Sequence, residues 1–162
     1  MVPTQFTPGE LIDLAISIER RGIAFYDVMG KSTENAAARE VFQYLTAMER
    51  EHLQIFQGML AEAEKRQSPS AENEEHTAYL QTLVDTAVFS DDLITSEMAT
   101  QTETDIRAIE LAISAEKDSI LFYYELRESM PGRAHATVNR ILAEEKSHLK
   151  KLSDLKKKLT AS

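Results

Sequence analysis

One arrangement of residues occurs twice in this chain: a lone Glu on one apolar stripe, then Glu-x-x-His on the next. The first copy is Glu19 with Glu49 and His52, and the second is Glu116 with Glu145 and His148. Residues three apart on a helix share a face, so each Glu-x-x-His pair points a carboxylate and an imidazole the same way. All six lie inside apolar stripes, where an uncompensated carboxylate is costly or becomes protonated. The fold must therefore bring these groups to one another, which favours four packed helices over any arrangement that leaves them apart.

The stripes are readable. Thr7-Pro8-Gly9-Glu10 has a hydroxyl cap, Pro at the first helical position and an early Glu, as a helix start requires. Leu11, Leu14, Ala15, Ile18, Gly22, Ile23 and Phe25-Tyr26 follow at helical spacing up to a break at Gly30–Thr33. Asn35 or a neighbouring hydroxyl can open a second helix, which carries Val41, Phe42, Leu45, Met48, Ile55, Phe56, Met59 and Leu60 and fades near Lys65-Arg66. The polar stretch from Gln67 to about Glu75 reads as a linker, Ala78 to Phe89 as helical, and Ser90-Asp91-Asp92 as the cap of another short helix. A third long helix is expected from about Glu103 to Ser129, closed by Met130-Pro131-Gly132, and a fourth from about His135 to Leu159. The expected architecture is all-α: one domain over residues 1–162, with hairpin one at about 8–66, a crossover at about 67–102 and hairpin two at about 103–160.

The hairpins are related. LAISIERRGIAFY from Leu14 and LAISAEKDSILFY from Leu111 agree at eight of thirteen positions at an offset of 97, and Glu49–Leu53 aligns with Glu145–Leu149 at an offset of 96. Such a repeat implies an approximate two-fold axis through an antiparallel four-helix bundle. Residues equidistant from a hairpin turn lie at equal depth. Glu19 and Glu49 have their midpoint at residue 34, and Glu116 and Glu145 between Met130 and Pro131, each beside a break. Every ligand level is thus about 15 residues, or roughly 22 Å, from its turn, and the four levels coincide if the hairpins pack level.

Four carboxylates with two neutral imidazoles match two divalent cations in charge, and hard oxygen donors with imidazole favour iron or manganese, with zinc a possible substitute. Glu49 and Glu145 are expected to bridge, Glu19 and Glu116 to be terminal, and each His to bind one ion; the partners of the outer ring nitrogens are not identified by the sequence. Tyr26 and Tyr123 each follow a ligand Glu by seven residues on the same face, so their hydroxyls either bond ligand carboxylates or pass electrons, or they are ordinary core aromatics. Tyr44 is expected in the core, and His76 and His135 at the surface.

The formal charge of -9 disfavours a nucleic-acid partner, which needs a basic face. With no cysteine, disulfides and thiolate iron sites are excluded within these residues. There is no basic segment leading into an apolar run near the N-terminus and no apolar run of about 18 residues, so a cytoplasmic location away from membranes is expected.

On the doubled Glu…Glu-x-x-His motif, the chain resembles rubrerythrin-type members of the ferritin-like superfamily over its four long helices. The resemblance implies a ferritin-like bundle in which Glu19, Glu49, His52, Glu116, Glu145 and His148 bind two iron ions, with Tyr26, and Tyr123 or Tyr124, beside them. It implies reduction of hydrogen peroxide by the di-ferrous pair, re-reduced by a small carrier. Rubrerythrins usually carry a four-cysteine iron site, absent from this sequence, so an external donor such as a rubredoxin-like protein is expected. They also place a Glu three residues beyond the third-helix ligand, where this chain has Ser119; the resulting six-ligand set resembles bacterioferritin. The haem-binding Met of bacterioferritin is replaced by Arg50, so no haem is expected. A homodimer or small homo-oligomer is expected, and iron storage by ferroxidation or a non-catalytic di-metal scaffold are the alternatives.

Overall fold

The structure, a computed structural model, describes residues 6–66, 74–87 and 105–161. Among the described residues there are five helices and no strands: α1 (Pro8–Ser32), α2 (Ala36–Arg66), α3 (Glu74–Asp85), α4 (Asp105–Ser129) and α5 (Gly132–Thr160). The expected cap of α1 forms as a capping box. Thr7 Oγ1 accepts from Glu10 N–H at 3.1 Å, and the Glu10 carboxylate accepts from Thr7 N–H at 3.4 Å.

Short turns force each pair of consecutive long helices to run antiparallel. Between α1 and α2, Thr33 N–H donates to Met29 O, Asn35 Oδ1 accepts from Ala38 N–H at 2.9 Å, and the Arg39 guanidinium donates to Thr33 O at 2.8 Å. Between α4 and α5, Pro131 is extended at φ -61° and ψ 151°, which lets α5 begin at Gly132, three residues before the expected start at His135. His135 is half-buried rather than at the surface, because its Nε2 meets Met130 O at 3.0 Å across this turn.

α1 packs on α4 and α2 on α5, while α3 lies against α4. The N-terminal half of α1 (Leu11, Ile12, Ile16) shares a core cluster with the C-terminal half of α4 (Phe122, Tyr123, Leu126) and with Phe56, Val138, Ile141 and Leu142. At the other end Phe25, Tyr26 and Met29 pack with Phe42, Leu45, Ala108, Ile109, Ala112, Leu152 and Leu155. The four long helices therefore run up, down, down, up, and a long crossover is needed between α2 and α4. The six polar residues lie between these two clusters in sequence on every long helix.

α3 starts and ends about four residues earlier than the periodicity predicts. Its first residues, Glu74 and Glu75, join the helix instead of the linker. Its end is closed by Thr86 N–H to Thr82 O and Ala87 N–H to Val84 O. The expected short helix capped at Ser90-Asp91-Asp92, and the side chain of His76, lie outside the described residues. No helix among the described residues is long and apolar enough to cross a membrane.

Candidate metal centre

The antiparallel hairpins bring all six polar residues to one level. Glu19, Glu49, Glu116 and Glu145 are 1–4 % exposed, and His52 and His148 are fully buried. They form two overlapping groups, each able to offer four ligand atoms within 4.8 Å of one another: Glu19, Glu49, His52 and Glu145, and Glu49, Glu116, Glu145 and His148. Glu49 and Glu145 belong to both groups; the other four residues belong to one each. One helix turn separates Glu from His in each α2 and α5 pair, so the imidazoles point inward beside their own carboxylates.

His52 and His148 stack with ring centroids 5.6 Å apart and planes 22° from parallel. Both turn Nδ1 toward the centre. His52 Nδ1 is 2.8 Å from Glu145, 3.4 Å from Glu49 and 3.6 Å from Glu19. His148 Nδ1 is 3.4 Å from Glu145, 3.6 Å from Glu49 and 3.8 Å from Glu116. The near approach of His52 to Glu145 is not aligned as a hydrogen bond, since Nδ1 and both Glu145 oxygens remain without one. Glu19 Oε2, Glu116 Oε2 and His148 Nδ1 are likewise buried without a hydrogen bond. Buried polar atoms seldom stay unpaired. Unpaired donor atoms of oxygen and imidazole type, aimed at shared points, are what divalent cations require, so the residues present fit a pair of such ions.

Two tyrosines complete the layer, and they cross it. Tyr26 of α1 donates its hydroxyl to Glu116 of α4 at 2.5 Å, and Tyr123 of α4 donates to Glu19 of α1 at 2.5 Å. Each thus holds Oε1 of the opposite helix's carboxylate, while its Oε2 is buried without a hydrogen bond. Both tyrosines are fully buried, packed against Phe25 and Phe42 at one end and Phe56 and Phe122 at the other.

Among themselves these side chains settle their charge with protons. Burial, then the charge of Glu49, pushes the Glu19 carboxyl well above its usual range; burial, then the charges of Glu145 and Glu49, does the same to Glu116. Burial pulls Glu49 upward too, but its contacts with Glu19, His148 and His52 outweigh that and hold it low. Glu145 is also held low, by Glu116 and the two imidazoles, against burial and the charge of Glu49. Burial disfavours charged imidazoles, yet the surrounding carboxylates raise both, His148 to about 9. Burial, then the nearby carboxylates, drives the phenols of Tyr26 and Tyr123 upward, so both keep their protons. Protons are thus favoured on Glu19, Glu116 and the two imidazoles over Glu49 and Glu145. Two divalent cations would displace these protons.

The α1–α4 side of the layer opens into a cavity of about 60 Å³, whose lining includes Gly22, Tyr26, Glu49, Glu116, Ser119 and Phe122. Val84 and Ala87, at the end of α3, help to cover it. Small residues make the opening: a Cβ added at Gly22 would lie 3.6 Å from Glu49 Cγ, in the space above that carboxylate. Ser119 Oγ bonds back to Ala115 O at 3.1 Å and so does not project into the cavity's polar end.

Sequence reasoning missed two neighbours. Glu144, half-buried on α5, accepts from or donates to His52 Nε2 at 2.7 Å, and Arg140 Nε holds its other oxygen at 3.3 Å. The charged residue directly before a ligand Glu was the available signal. Tyr44 is 41 % exposed rather than in the core; its ring stands edge-on to His148 at 6.2 Å beneath the Lys151 ammonium at 4.8 Å.

The rubrerythrin family model matches residues 10–156. A solved structure described as a ferritin-like diiron-carboxylate protein from Thermotoga maritima is 27 % identical, with a TM-score of 0.71 over 96 % of this chain and 97 % of that one. No curated protein matches the chain.

Proposed function

This chain belongs to the rubrerythrin family, and from that premise we propose that it is a non-haem di-iron oxidoreductase that reduces peroxide or dioxygen with electrons from a separate donor. The observation that carries the reading is the pair of four-residue groups sharing Glu49 and Glu145, buried, with one face open to a small cavity. Glu19, Glu49, His52 and Glu145 would hold one ion; Glu49, Glu116, Glu145 and His148 would hold the other, with Glu49 and Glu145 bridging. Manganese suits the same donors. When bound, the ions supply electrons to the oxidant and polarise its O–O bond as Lewis acids.

The protein's own residues do the rest. A cavity of about 60 Å³ has room for a few water-sized molecules, each needing roughly 10–15 Å³, so it suits an oxidant of few heavy atoms and excludes bulky ones. Phe122 and Val84 give the cavity an apolar wall. Tyr26 and Tyr123 fix the terminal carboxylates and stand one hydrogen bond from the cluster, placed to give up a proton or an electron. Reduction of peroxide to water consumes two electrons and two protons. The proposed donor is a rubredoxin-like protein, and the proposed assembly is a homodimer or small homo-oligomer.

Anaerobic loading with Fe(II) followed by peroxide tests this. Rapid stoichiometric oxidation, with the ultraviolet and visible absorption of an oxo-bridged iron pair, is expected; no oxidation overturns it. One observation favours a second reading, iron storage: Ser119 stands where the family's seventh carboxylate would, leaving a ferroxidase-like six-residue set. That reading requires a large hollow assembly holding many irons per chain, which sedimentation and iron analysis distinguish from a small oligomer holding two.

A further inference from the structure

The six inner residues obey the internal two-fold, but the residues behind the imidazoles do not. His52 Nε2 meets the Glu144 carboxylate at 2.7 Å, and Arg140 braces that carboxylate from one turn away. The repeat offset of 96 maps Glu144 onto Met48 and Arg140 onto Tyr44. Neither can accept a hydrogen bond as a carboxylate does. Accordingly His148 Nε2 is buried with no hydrogen-bond partner among the described residues, and the Tyr44 ring stands edge-on to that imidazole with centroids 6.2 Å apart.

We propose that the two metal positions are unequal: the position at His52 fills first and holds its ion more tightly, and Glu144 is the positioning residue responsible. A carboxylate on the outer nitrogen fixes the ring's tautomer and orientation and makes the inner nitrogen a better donor; losing such a partner costs roughly 10–100-fold in metal affinity. His52 has this support, oriented so that Nδ1 faces the cluster. His148 lacks it, and its Nε2–H would stay buried and unpaired in the metal-bound tautomer. The difference also gives the bundle a direction. An ion can exchange at the His148 position, beside the exposed Tyr44, while the His52 position stays occupied.

The inference rests on the reading that the cluster binds two ions, not on any oxidant. It is tested by titrating the full chain with Co(II), whose visible bands report each position, and by crystallography with one equivalent bound, using anomalous scattering. Two-step binding is expected, with the first step at least about 10-fold tighter and the first ion beside His52. Glu144→Ala should weaken the first step toward the second. Met48→Glu, which supplies the missing acceptor, should strengthen the second step and leave the first in place. Equal steps in the unaltered chain, a first ion beside His148, or two steps unmoved by both substitutions would overturn the inequality alone. Failure to take up any ion would overturn the proposed di-metal function as well.

Discussion

The two faces of the metal layer are built from opposite materials. On the α2–α5 face, Glu49, His52, Glu145 and His148 fill the space between helices with ligating groups, and the rings stack on one another. On the α1–α4 face, Gly22 and Ser119 leave space, and only Glu19 and Glu116 reach inward, each tied by a tyrosine from the opposite helix. One face is suited to hold ions and the other to admit a reactant. Both faces arise in one fold because the repeat places large polar residues on one helix of each hairpin and small residues on the other.

Breaking the holding face should have the largest effect. Glu49→Ala or Glu145→Ala removes a residue common to both groups and should abolish binding of both ions, a larger loss than the roughly 10–100-fold expected for an outer partner. Glu19→Ala removes a residue from one group only and should leave about one ion per chain. If Glu49→Ala still takes two, the bridging role is wrong.

Filling the admitting face should separate chemistry from binding. Ser119→Leu places a side chain in the cavity and should slow oxidation of the Fe(II)-loaded protein by about tenfold, roughly 1.4 kcal/mol on the barrier, with two ions still bound. Unchanged rates would mean that the oxidant enters elsewhere.

A smaller effect is expected from the tyrosines. Tyr26→Phe leaves Glu116 Oε1 without its donor, and Tyr123→Phe does so for Glu19, each costing about 1–3 kcal/mol of stability. Equal losses in the two variants, read by denaturant unfolding, would confirm the two-fold of the inner layer; a loss in one alone would break it.

The smallest expected effect is a pH slope. In chelator-treated protein His148 keeps its proton up to about pH 9, whereas the unfolded chain releases it near pH 6.5. The folded state then binds more protons between these values, so stability falls as pH rises. The contribution is complete below about 6.5 and gone above about 9. Melting temperature should decline across that window and should do so less in His148→Gln; a flat profile contradicts the shared-proton balance.

Much of this was legible in the sequence because it depends on periodicity. The offset repeat, the Glu-x-x-His pairs and the hairpin midpoints predict a common level for Glu19, Glu49, Glu116 and Glu145, and the structure places them there. The spacing of Tyr26 and Tyr123 admits bonding to carboxylates and an ordinary core role alike; that each hydroxyl reaches a carboxylate of the other hairpin depends on how α1 crosses α4. For Glu144 the position directly before a ligand Glu is a weak signal: a residue adjacent to a ligand points about 100° away on the helix, and only packing shows that this direction meets the other helix's imidazole. Tyr44 has the composition of a core residue, yet its ring fits at the rim, where a lysine ammonium covers it. The end of α3 is set by backbone hydrogen bonds from Thr86 and Ala87, which an apolar pattern does not register.

The central claim is that six side chains from four helices hold two ions between them. A crystal structure of the Fe(II)- or Mn(II)-loaded protein, with anomalous maps at the metal edge, tests it most directly. The account predicts two peaks, both in contact with Glu49 and Glu145, one beside His52 Nδ1 and Glu19 and the other beside His148 Nδ1 and Glu116. Peaks confined to surface carboxylates, or an inner layer that keeps its protons and takes no ion, would contradict it.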